Sequence, residues 1–119
     1  MSKSPRPQHL EIAAEQYGDT IFIRLSGEFD VAGEEYFDRT VAEAELRARG
    51  LVIDLSDVQF IDSSGLRALL RVWQRVCEDG NELAVVPGSE QVRRTMQLTG
   101  LDSVLPLAAE PHLSSAAQE

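Results

Sequence analysis

Leu10, Ile12 and Ala14 alternate with polar residues, and after Gly18-Asp19 the stretch TIFIRLSG sets Ile21, Ile23 and Leu25 on one side of an extended chain. Alternation on both flanks of a Gly-Asp pair predicts two antiparallel strands joined by a tight turn. From Val31 to Arg49 the rhythm changes. Phe37, Val41, Ala44 and Ala48 recur at helical spacing, with Glu34, Glu35, Asp38, Glu43 and Arg47 on the other faces, so an amphipathic helix ending near Gly50 is expected. Leu51 to Leu55, LVIDL, is a short apolar run rich in branched side chains, the pattern of a strand buried on both faces near the middle of a sheet.

A second helical pattern runs from Ser64 to Glu78. Leu66, Leu69, Leu70, Trp73, Val76 and Cys77 form its apolar set, Arg67, Arg71, Gln74 and Arg75 point outward, and Gly80 stops it. On this reading Trp73 is core, and Cys77 is a small buried hydrophobe with no redox role. ELAVVPG predicts a further strand. Ser89 then caps a helix in which Val92 and Met96 face inward and Gly100-Leu101 forms the C-terminal cap, leaving Arg93 and Arg94 on a solvated face. SVLPLAAE predicts a last strand at an edge, where Pro106 needs no ladder donor, and Pro111 suits the first turn of a short terminal helix. The order is β-β-α-β-α-β-α-β with a final short helix, an α/β fold whose mixed, mostly parallel sheet carries amphipathic helices.

A length of 119 residues with 43% hydrophobic and 26% charged side chains implies one soluble globular domain over residues 1–119. Its ordered core is expected over about residues 10–113, with Met1 to Gln8 and Ser114 to Glu119 frayed. The net charge of -9 argues against direct nucleic-acid binding, which needs a basic stripe. One cysteine, Cys77, and two histidines, His9 and His112, make neither a disulfide nor a metal cluster, and a reducing cytoplasm fits that usage. MSKSPRPQH lacks an apolar stretch, and no later run is long enough to cross a bilayer, so neither a signal peptide nor membrane insertion is expected.

Between the buried strand and the second helix lies FIDSSGLRALL, residues Phe60 to Leu70. Ligands and chemistry gather at such strand-to-helix loops because helix N-termini present unpaired N–H groups there. The simplest role for Asp62 or Ser63 is an N-cap, worth about 1 kcal/mol, with Gly65 easing the turn. A hydrolytic serine would need a nucleophile elbow and a histidine base. No glycine stands two residues before either serine, and the histidines lie near the chain ends, so no catalytic residue is assigned. Asp54, Asp57 and Asp62 fit no calcium-loop spacing. A third role is a serine that accepts phosphate: a helix N-terminus tolerates the added charge of about -1.5 to -2. A partner surface does not, because one like charge about 5 Å away at an effective dielectric near 20 costs about 3 kcal/mol.

LVIDLSDVQFIDSSGLRALL, with RLSGEFD upstream and VRRTMQLTGL downstream, resembles the STAS family and, within it, the bacterial anti-sigma-factor antagonists. The resemblance spans about Leu10 to Leu107. It implies a non-enzymatic partner switch in which the antagonist binds an anti-sigma factor with serine kinase activity and thereby frees a sigma factor. Phosphorylation of Ser63, directly after the motif aspartate, ends that binding, and a phosphatase restores it. The resemblance places Asp30 of GEFD and Asp62 beside the modified serine, Ser64 as its structural neighbour, and Gly27 and Gly65 at turns. No cofactor is implied. Both acids also suit capping, Asp30 of the first long helix and Asp62 of the second. Arg67 departs from the small residue often found there, and it stands where it could pair with a phosphate. Other members of the family serve as scaffolds or as accessory modules of stress-sensing and transport complexes.

Overall fold

A computed structural model describes residues 10–108. In chain order the elements are β1 (Leu10–Tyr17), β2 (Thr20–Phe29), α1 (Glu34–Glu45), β3 (Gly50–Ile61), α2 (Ser63–Glu78), β4 (Glu82–Val86) and α3 (Glu90–Thr99), with 3-10 turns at Val31–Gly33 and Leu101–Ser103. The sheet order is β1-β2-β3-β4. β1 runs antiparallel to β2, Leu10 opposite Gly27 and Tyr17 opposite Thr20, so the Gly18-Asp19 turn closes a hairpin as its residues predict. β2 with β3 and β3 with β4 are parallel. The expected frayed ends, His9, His112 and the helix at Pro111 lie outside the described residues.

Alternation along the strands produces two unequal cores. Ile21, Ile23, Leu25, Leu51, Ile53 and Leu55 meet Phe37 and Val41 of α1, Leu66 and Leu69 of α2, and Val92 and Met96 of α3 in one continuous cluster. On the other side of the sheet Val52, Ala84 and Val86 form a smaller buried group with Phe22 and Ala108 packed against it. All five residues of LVIDL are buried, the two-sided burial read from its composition. Asp54 survives inside that run because its Oδ1 accepts hydrogen bonds from the Ser56 amide at 2.9 Å and hydroxyl at 2.6 Å, while Arg24 Nε lies 3.8 Å from Oδ2.

Several expectations give way. α1 ends at Glu45 rather than Arg49, although Ala48 beyond it is still buried. β3 continues six residues past Leu55, where the expected strand ended, to Ile61, so the serine motif begins inside the strand. On α2 the buried stripe is Gly65, Leu66, Ala68, Leu69, Val72 and Val76; Leu70 and Trp73 are half-buried and Cys77 is exposed. The expected last strand shrinks to one parallel bridge, Val85 to Leu107. Val85 donates to the Pro106 carbonyl at 2.9 Å and accepts from Ala108 at 2.8 Å, and the preceding 3-10 turn leaves the chain no extended approach.

Candidate functional site

Two parallel strands, β2 and β3, deliver their ends to one rim. Phe29 pairs with Ile61, so Asp30 and Asp62, the next residue in each strand, leave the sheet side by side. Each turns directly into a capped helical segment. Asp62 is extended, φ -111° and ψ -171°, and its Oδ1 accepts from the amides of Ser64 at 2.9 Å and Gly65 at 3.1 Å. Asp62 is thus the N-cap, and Ser63 is the first residue of α2. Asp30 caps too, but not the long helix: it receives the Ala32 amide at 3.1 Å and closes the 3-10 turn, after which Gly33 leads into α1.

With Asp62 in the cap, neither serine hydroxyl is needed there. Ser63 is exposed and Ser64 half-buried. Arg67 Nη2 approaches Ser64 Oγ at 3.5 Å, so the structure brings it first to the second serine. Gly65 is not a turn residue. It sits in the first turn of the helix, buried, where a Cβ would lie 2.7 Å from the Phe29 carbonyl oxygen and 2.7 Å from Ile61 Cγ1, and its task is to let α2 approach β2. Gly27 does have the left-handed φ of 95° that favours glycine, at a register shift between β2 and β3 rather than in a turn.

Two exposed apolar side chains absent from the expected set stand near the ends of β3 and β2, where the chain leaves the sheet. Phe60 is 44% exposed and Val31 66% exposed. Alternation does not single out Phe60: Val58 and Ile61, three residues apart, both enter the main core across the register shift opposite Gly27 and Glu28, and Phe60 is left outside. Val31 carries no signal either, since the helical pattern expected from it starts only at Glu34. The rim consequently combines an exposed hydroxyl, two acids and two apolar groups. Among the described residues no group of three His, Cys, Asp or Glu side chains is arranged to hold a metal ion, and no helix is long and apolar enough to cross a membrane.

The sequence pattern of the STAS domain matches residues 11–116. An anti-sigma F factor antagonist of Paenibacillus polymyxa is 31% identical over 101 residues, covering 83% of this chain and 86% of that protein. The crystal structure of an anti-sigma factor antagonist from Mycobacterium paratuberculosis superposes with a TM-score of 0.76 at 27% identity, covering 85% of this chain and 86% of that one. The antagonist SpoIIAA in its unphosphorylated form gives a TM-score of 0.70 over 84% of this chain and 90% of its own, at 23% identity, a likeness of fold.

Proposed function

The chain belongs to the STAS domain family, and from that membership we propose that it is an anti-sigma-factor antagonist switched at Ser63. The unmodified form binds an anti-sigma factor that is also a serine kinase, and that binding releases a sigma factor. In the switching step the γ-phosphoryl group passes from ATP to Ser63 Oγ, with loss of ADP and of the hydroxyl proton. A phosphatase then returns the hydroxyl. The protein itself acts by binding, not by catalysis, in the cytoplasm.

The observation that carries this reading is the division of labour between Asp62 and Ser63. Asp62 holds the helix cap, so the exposed Ser63 hydroxyl is available for modification without loss of the cap. Phe60 and Val31 offer apolar contact at the same end of the sheet, and a phosphate on Ser63 would bring like charge against a partner that covers this end. The carboxylates of Asp30 and Asp62, with Ser64 and Arg67, complete the partner-binding rim, and the buried Gly65 supports it by letting α2 approach β2.

Incubation with ATP and the partner kinase is expected to add one phosphate to the peptide containing Ser63. Ser63→Ala should bind the partner and resist modification, while Ser63→Asp should bind about a hundredfold more weakly. Phosphate on a different peptide, or full binding by Ser63→Asp in a calorimetric titration, refutes the proposal.

A further inference from the structure

Three of the amides at the start of α2 are already taken. Asp62 Oδ1 accepts from Ser64 and Gly65, and the Asp62 carbonyl accepts from Leu66 at 3.0 Å. A phosphate at this helix start would therefore meet the Asp62 carboxylate where the Ser64 and Gly65 amides would otherwise be open to it. Asp30, leaving the neighbouring strand beside Asp62, adds a second negative charge. Any compensating charge must come from a side chain.

α2 carries one. Arg67, Arg71 and Arg75 stand a turn apart in a row. Arg71 donates to Asp38 at 2.8 Å and Arg75 to Glu45 at 3.0 Å, both on α1. Arg67 has no carboxylate partner among the described residues, and its guanidinium folds back toward the helix start, 3.5 Å from Ser64 Oγ. Ser63 lies four residues before Arg67, a spacing that sets their Cβ atoms about 5–6 Å apart, within reach of a guanidinium that already folds back toward the helix start.

Resting on the reading of Ser63 as the phosphorylated residue, we propose that Arg67 is this chain's own clamp for that phosphate. The guanidinium leaves Ser64 and pairs with the phosphate oxygens, taking up part of the charge that would otherwise face the partner. The repulsion that ends binding is thereby moderated from within the helix.

Phosphoserine installed at position 63 by genetic encoding needs no kinase and tests the clamp directly. Phosphorus NMR would follow the second ionisation of the phosphate, ordinarily near pH 6, in the otherwise unchanged chain, in Arg67→Gln and in Arg67→Lys. The clamp lowers the midpoint by about half a unit relative to Arg67→Gln, with Arg67→Lys between them. High salt should shrink the gap. Equal midpoints in proteins with matching circular dichroism overturn the inference. Failure of the switch reading looks different: phosphorylated and unmodified chains would bind the anti-sigma partner alike while the NMR midpoints still differed.

Discussion

A methyl group on Gly65 would collide with backbone as well as with side chain. Its Cβ would stand 2.7 Å from Ile61 Cγ1, which can rotate, but also 2.7 Å from the Phe29 carbonyl oxygen and 3.0 Å from Phe29 Cγ, which β2 holds in place. Gly65→Ala gains about 1 kcal/mol of helix propensity. The clash outweighs it, and a net loss of about 1–3 kcal/mol is expected. Urea unfolding checks the sign; a variant as stable as the parent would mean that α2 moves off β2 freely. This contact was beyond the reach of the sequence, because a glycine near a strand-to-helix junction reads equally as a turn, and nothing nearby announces a carbonyl from β2. The cap itself was half legible. Asp and Ser are both good N-caps and stand adjacent, so only the extended backbone of Asp62 separates their roles. The phosphate-accepting role given to Ser63 came from the family motif, whereas the exposure of Phe60 follows a register shift after Val58 that no residue pattern announces.

The two long helices are joined across their outer edges by unequal ion pairs. Asp38 and Arg71 retain 35% and 47% side-chain exposure, whereas Glu45 keeps only 10% beside an Arg75 at 37%. Water screens the first pair, so Asp38→Asn should cost less than about 1 kcal/mol. Glu45→Gln leaves the Arg75 guanidinium with a neutral, weaker acceptor in a drier place. A loss of about 1–3 kcal/mol is expected, and denaturant midpoints for the two variants would be reversed in order if burial did not govern the pairs. Arg75 also shows the limit of helical periodicity as a guide. With Leu70, Trp73 and Cys77 on one flank and Ala68 and Val72 on the other, apolar spacing fits two rotations of α2. Packing against α1 and β3 selects the second, which exposes Cys77 and half-covers Arg75. Strand edges show a similar limit. The apolar content of SVLPLAAE marks a segment that reaches the sheet, yet Pro106 and the preceding 3-10 turn reduce it to one bridge on β4.

At the scale of the molecule, the proposed switch and the main core occupy different places, and that separation has a measurable consequence. Ile53 lies at 0% exposure where all three helices meet the sheet, whereas Ser63 stands on the rim beyond the last residue of β3. Ile53→Ala should lower stability by about 2–5 kcal/mol through lost burial and the cavity left behind. Ser63→Asp adds charge at the surface: helix polarity favours it by about 0.3–1 kcal/mol, and the nearby Asp62 carboxylate opposes it. The two effects are of similar size, so its unfolding midpoint should stay within about 1 kcal/mol of the parent with an unchanged m-value. Partner affinity is expected to respond in the opposite order, falling with Ser63→Asp but changing little with Ile53→Ala at temperatures where that variant remains folded. If Ser63→Asp instead lost as much stability as Ile53→Ala, the added charge would be loosening the fold, and the switch would operate by unfolding α2 rather than by repelling a partner from an intact rim.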